Sequence, residues 1–155
     1  MLTIDPVMLT IDVTVDANVF ISAASVAEAQ HQVSLSFFGR ASVVSASLYC
    51  PTILLPEVAA GIARPTGDVG FANRTVSSIS SLPNLVLVEL DELRADLAAD
   101  AAITCRLRGA DAVYVAVAQE YGTTLITWDQ ELLTRGAAAV AVMTSADWLA
   151  ANPTT

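Results

Sequence analysis

The sequence predicts an α/β fold, a three-layer α/β/α sandwich around a central, mostly parallel sheet. Short β-branched, apolar runs alternate with stretches of helical period along the chain. Proline, glycine, aspartate and serine stand at nearly every handover between the two patterns. The 155 residues, 54% hydrophobic and only 15% charged, are enough to bury a core without disulfides or structural metal. No linker composition interrupts them, so a single domain is expected over residues 1–155.

The chain opens on a near repeat, Met1-Leu-Thr-Ile-Asp5 and Met8-Leu-Thr-Ile-Asp12, too short for a repeat architecture. Met8 reads as an alternative start, with residues 1–7 as an N-terminal extension. Asp5 and Asp12 are weak site candidates, Asp12 standing before the first strand rather than after it. That strand covers Ile11 to Val15, and Asp16 hands over to a helix beginning at Ala17. A second helix is expected over Gln32 to Ser45, with Val33, Phe37, Phe38, Ala41 and Val44 at helical spacing.

A strand near Leu48 to Thr52 leads to Pro56, which suits the first position of a helix ending at Pro65-Thr66-Gly67. Another helix covers Val69 to Leu82. Leu85 to Leu90, unbroken and apolar, reads as a buried strand. Asp91 starts a long helix through Arg106, closed by Gly109 in a position beyond its end. Asp111 opens the next helix, with Ala112, Val115, Ala116 and Ala118 inward and Gly122 at its end. Thr123 to Thr127 is a strand, Asp129 starts a helix over Gln130 to Arg135, and Ala139 to Met143 is the last strand. Ser145 is a good N-cap for a closing helix through Trp148.

Composition narrows the function classes. No apolar stretch reaches membrane-spanning length, and no basic segment precedes a hydrophobic core at the N-terminus, so a cytoplasmic protein is expected. Cys50 and Cys105 lack any metal or redox spacing and read as small buried hydrophobes. His31, the only histidine, reads as a solvated loop or helix-start residue. The net charge of −9 argues against broad nucleic-acid binding but not against a nuclease, whose metal-binding carboxylates count toward it. There is no lysine at all. That removes the P-loop and the phosphoaspartate pockets that pair acids with a lysine. Serine–histidine chemistry would need His31, which has no nucleophile turn near it.

Four acids, Asp16, Glu57, Asp111 and Asp129, stand at strand-to-helix or turn-to-helix handovers. Singly, each has an ordinary reading as a helix cap or first-turn acid. Jointly they differ, because handover points line one edge of an open α/β sheet. Carboxylates gathered there at about 5 Å repel by roughly 3 kcal/mol per pair at an effective dielectric of 20. Such a set takes up protons or a cation, and all-oxygen ligands favour Mg²⁺ or Mn²⁺. Asn18 could hold a carboxylate or a metal-bound water from the helix. Thr127 could orient a ligand carboxylate, or could simply be a strand former.

Val13-Thr-Val-Asp16-Ala-Asn18, Pro56-Glu57-Val58, Leu107-Arg-Gly-Ala-Asp111-Ala-Val-Tyr-Val-Ala116 and Thr124-Leu-Ile-Thr127-Trp-Asp129 resemble, in order and spacing, the motifs of PIN-domain ribonucleases, many of them VapC-type toxins. The resemblance spans nearly the whole chain. It implies a PIN-like domain whose four acids line a Mg²⁺ or Mn²⁺ site that hydrolyses RNA to 5′-phosphate and 3′-hydroxyl ends. Asp16, Glu57 and Asp111 would be the principal ligands, with Asp129 at a second metal or supporting the ligands from outside. It also implies a homodimer and an antitoxin whose tail covers the site. Arg64, Arg106, Arg108 and Arg135 lie near these motifs and read either as phosphate contacts or as solvated arginines. The alternative is a PIN-like binding or regulatory module whose metal site is weak or vestigial.

Overall fold

Val13, Thr14 and Val15 form the central strand β1 (Val13–Val15), buried on both faces. The computed structural model describes residues 11–154; the reading of residues 1–7 as an extension, the alternative start at Met8 and the candidate Asp5 lie outside them. After β1 the chain runs through α1 (Ala17–Ala24), α2 (His31–Val43), β2 (Leu48–Pro51), α3 (Leu54–Thr66), α4 (Val69–Ser80) and β3 (Leu85–Val88). It then crosses to α5 (Glu92–Cys105), α6 (Gly109–Tyr121), β4 (Thr124–Ile126), α7 (Gln130–Arg135), β5 (Val142–Met143) and α8 (Ser145–Ala151).

The five strands are all parallel in the order β3-β2-β1-β4-β5. Helices cover both faces, giving the three-layer α/β/α sandwich that the alternating pattern predicts. One core lies between the sheet and α1 to α4 with α8, and includes Val15, Phe20, Phe37, Leu54, Val58 and Trp148. The other packs α5 and α6 against the opposite face, around Ala101, Tyr114, Val115 and Leu125. The helix α6 is sandwiched between sheet and α5 and is buried without a break from Ala112 to Val117 and Ala118. Thr14 and Thr123, the polar residues buried beneath it, share a hydrogen bond of 2.7 Å, which satisfies both hydroxyls.

The order of the strands positions the site. From β1 the chain winds outward to β2 and β3, then returns to build β4 and β5 on the other side. The reversal lies between β1 and β4, and the crevice outside their C-terminal ends is where such sheets bind ligands. Among the described residues, no helix is long and apolar enough to cross a membrane.

Several local expectations need correction. β3 is an edge strand, and Val86 and Leu87 are 39% and 38% exposed, so its unbroken apolar run is not buried on both faces. Pro56 is the third residue of α3 rather than the first, still within the turn whose N–H groups have no helical partner. Gly109 starts α6; the left-handed residue that ends α5 is Arg106, at φ 53°. Thr144, not Ser145, caps α8, accepting from the Asp147 N–H at 3.1 Å, and Ser145 is buried. The other closures hold: Asp91 caps α5 and Gly122, at φ 63°, ends α6. Cys50 and Cys105 are both buried and free, and His31 begins α2, its Nδ1 2.9 Å from the Ser22 carbonyl oxygen.

Candidate active site

Parallel pairing of β1 with β4 sets Val15 beside Ile126, so the residues that follow, Asp16 and Thr127, emerge side by side at the sheet edge. The Asp16 N–H donates to the Ile126 carbonyl at 3.0 Å, and the Thr127 hydroxyl donates to Asp16 Oδ2 at 2.7 Å. Asp16 occupies the N-cap position of α1, yet its side chain caps nothing; it turns into the crevice instead. From the first turn of α1, the Asn18 amide donates to Thr127 Oγ1 at 3.4 Å and accepts from the Trp128 N–H at 3.2 Å. Thr127 thus ties the ends of β1 and β4 together.

The remaining acids arrive from three helices. Glu57 lies in the first turn of α3 and Asp111 in the first turn of α6. Asp129 caps α7 through Oδ1, which accepts from the N–H groups of Glu131 and Leu132 at 2.8 and 3.1 Å. Its other oxygen, Oδ2, faces Arg108 at the mouth of the crevice. All four acids line one pocket of about 290 Å³, together with Asn18, Ile21 and Arg108.

Burial and mutual repulsion govern their protonation. Asp16, 5% exposed, is pushed up to about 7 chiefly by burial, against the Thr127 hydrogen bond, with Asp111 and Glu57 adding repulsion. Glu57 is raised by burial, the Tyr114 hydroxyl opposing and Asp111 reinforcing the shift. Asp111 is raised by burial and by Asp129, with Arg108 opposing. Asp111 therefore couples to each of the other three. Beneath the pocket, Cys50 is pushed up to about 12 by burial, which makes its thiol inert as a nucleophile.

The donor set suits a hard cation. Glu57 Oε1 and Asp111 Oδ2 are buried oxygens without a hydrogen bond, and the only other ligating groups in the pocket are carboxylates and an amide. Among the described residues, however, no three acids, histidines or cysteines stand in an arrangement that would by itself enclose a metal ion. At the mouth Arg108 pairs with two of the acids: Nε lies 3.4 Å from Asp111 Oδ2 and Nη2 3.3 Å from Asp129 Oδ2.

The other arginines differ in setting. Arg64 is exposed on α3 beyond Glu57, in a groove shared with Ala60, Gly61 and Pro65. Arg135 is held by Glu131 at 2.6 Å and by the Arg106 carbonyl at 2.9 Å, while the Arg106 side chain is exposed. Two residues of the pocket's surroundings escaped the sequence reading. Tyr114 is fully buried one turn beyond Asp111, its hydroxyl beside Glu57 and without a well-formed hydrogen bond. Glu131 adds repulsion to Asp111 from the first turn of α7. The signals were their spacings, three after Asp111 and two after Asp129.

A family model described as the PIN domain matches residues 13–137. No curated protein matches the chain. Among solved structures it is similar to VapC20 of Mycobacterium tuberculosis, a sarcin-ricin loop cleaving toxin, with a TM-score of 0.68 and 14% identity over 84% of this chain and 97% of that one. FitAcB from Neisseria gonorrhoeae gives a TM-score of 0.66 and 20% identity, covering 86% and 97% of the two chains. PAE2754 from Pyrobaculum aerophilum gives 0.66 and 19%, covering 92% and 96%.

Proposed function

Because this chain belongs to the PIN domain family, we propose that it is a Mg²⁺- or Mn²⁺-dependent endoribonuclease, acting in the cytoplasm as the toxin of a toxin–antitoxin pair. The observation that carries the reading is the convergence of Asp16, Glu57, Asp111 and Asp129 on one pocket at the β1/β4 reversal. In it Asp16, Glu57 and Asp111 are the ligands, and Asp129 serves a second ion or supports the ligands from outside. A bound ion supplies an activated water and neutralises charge developing on the phosphate.

The chain's own groups prepare that chemistry. Thr127 fixes the Asp16 carboxylate by donating to Oδ2. Asn18 holds Thr127 and the start of the Trp128 turn in place. Glu57 and Asp111 present buried oxygens that no protein donor satisfies. Water attacks the phosphorus, the bond to the 3′ oxygen breaks and that oxygen takes up a proton, leaving 5′-phosphate and 3′-hydroxyl ends. Arg64 and Arg108, on either side of the acids, are the groups we assign to flanking phosphates, with Arg106 and Arg135 farther along the surface.

Incubation of RNA with the purified protein and Mn²⁺ tests this. Asp111→Asn should abolish cleavage while circular dichroism and unfolding midpoint show an intact fold. Equal cleavage by the wild type and the variant would sink the assignment. A vestigial, binding-only PIN module is the second reading, favoured by the net charge of −9 and by the pairing of Asp111 and Asp129 with Arg108. Calorimetric titration separates the two, since only a vestigial site would take up no Mn²⁺ at millimolar concentration.

Support for a protein partner comes from an apolar groove of about 430 Å³ between α1, α2 and α4, where Phe20, Leu35, Phe38, Phe71 and Leu82 meet. An antitoxin helix would fit there. Leu93 and Ile103, 68% and 76% exposed on α5, favour self-association as a homodimer. Expression alone should slow growth and co-expression of the antitoxin restore it; harmless high-level expression would count against the toxin role.

A further inference from the structure

The cation that Asp111 and Asp129 now hold is part of the chain itself. Arg108 precedes α6 in extended conformation, at φ −64° and ψ 151°, three residues before Asp111. Its side chain is 71% exposed, whereas those of Asp111 and Asp129 are 14% and 24% exposed, so the guanidinium lies over the acids on the solvent side. Neither contact is tight. Nε reaches Asp111 Oδ2 at 3.4 Å without forming a hydrogen bond, and that oxygen remains unsatisfied. Nη2 makes one long bond, 3.3 Å, to Asp129.

The contrast with other arginines is informative. Arg94 forks onto Glu120 at 2.8 and 2.9 Å and also donates to the Glu89 carbonyl. Arg135 holds Glu131 at 2.6 Å. Those are fixed structural pairs, whereas Arg108 makes loose, solvent-screened contacts of the weakest class. A single positive charge spread over a guanidinium also leaves Asp111 Oδ2 without a hydrogen bond and Glu57 Oε1 without any partner. A small dication reaches oxygens that a planar group at the mouth does not.

We propose that Arg108 is the resident counter-cation of this pocket, gives way when a divalent cation enters, and then carries its freed guanidinium to the RNA phosphate beside the acids. The chain thereby exchanges one cation for another at the mouth of the site, and the group expelled becomes the substrate contact. This rests on the metal-dependent ribonuclease reading.

Calorimetric titration of chelator-stripped protein with Mn²⁺, without RNA, tests the exchange. Removing a positive charge so close to two ligand carboxylates should make Arg108→Gln bind Mn²⁺ about three- to tenfold more tightly than wild type, with Arg108→Lys near wild type. Equal or weaker binding by Arg108→Gln overturns the exchange while leaving the nuclease reading in place. Absence of Mn²⁺ binding by wild type and variant alike overturns both. In nitrogen-15 spectra, the Arg108 Nε–H signal should shift as Mg²⁺ saturates the wild type; a signal that stays put overturns the exchange. With RNA, Arg108→Gln should raise KM about tenfold and change kcat less, and an unchanged KM overturns the phosphate contact. Because Arg108 is exposed, these substitutions leave the core untouched.

Discussion

Thr127 uses every hydrogen-bonding position its hydroxyl has. It donates once, to Asp16 Oδ2 at 2.7 Å, and accepts twice, from the Asp129 N–H at 3.0 Å and the Asn18 amide at 3.4 Å. Thr127→Val keeps the shape and removes all three bonds, leaving Asp16 buried without its donor. We expect a loss of about 1–3 kcal/mol in urea unfolding, and a further rise in the Asp16 proton affinity, followed through its carboxyl carbon signal. Thr127→Ser should recover most of both, and a Thr127→Val protein as stable as wild type would show that the network does not hold the strand ends. At this scale the sequence was informative where a residue stood at a handover. Asp16, Glu57, Asp111 and Asp129 did so, and all four reach one pocket. Tyr114 did not: inside the run Ala112 to Ala118 it is indistinguishable from core, and its hydroxyl comes beside Glu57 only once α3 and α6 are assembled.

Helices α1 and α3 must approach closely for Asp16 and Glu57 to share a pocket, and Gly61 permits it. It follows Glu57 by one turn, on the same face of α3, and a Cβ added there would press into the Ile21 side chain of α1. Gly61→Val should therefore displace the Ile21 side chain, lower stability by roughly 1–3 kcal/mol, and weaken Mn²⁺ binding. Shortening the opposing residue in Gly61→Val/Ile21→Ala should restore part of both, a coupling that a double-mutant cycle measures; strictly additive losses would mean that the contact does not set the spacing. Order and type of the elements were legible because the switch between strand and helical period is a local property. Register and edge position were not. Leu85 to Val88 carries the apolar run of a buried strand, but its place at the sheet edge follows from the chain reversing after β3, which no local window encodes. Gly109 misled for a related reason: Arg106 took the left-handed turn at the end of α5, which freed the glycine to begin α6.

For the molecule as a whole, a net charge of −9 with no lysine means that the acids at the sheet edge have few internal cations to draw on. In the metal-free protein, protons take part of that role. The Asp16 carboxyl titrates near 7 in the folded chain against 3.8 in its ordinary state, mainly because it is buried. Between these values the folded form binds the proton and the unfolded form does not, so stability is fully present below about pH 4 and falls as pH rises toward 7. The loss is on the order of 4 kcal/mol at about 1.4 kcal/mol per tenfold change in proton affinity. Wild type should therefore be compared with Asp16→Asn, which keeps an acceptor for Thr127 and carries no charge. Urea unfolding of chelator-treated samples from pH 4 to 8 should show wild type losing ground to Asp16→Asn across that window. A flat difference would mean that Asp16 stays charged throughout. Adding Mn²⁺ at pH 7.5 should then close much of the gap, stabilising wild type by about 2.7 kcal/mol at a hundredfold excess over Kd and Asp16→Asn by much less. Buried, clustered acids at the strand ends thus destabilise the unloaded chain at neutral pH, and the same burial and repulsion favour taking up a dication.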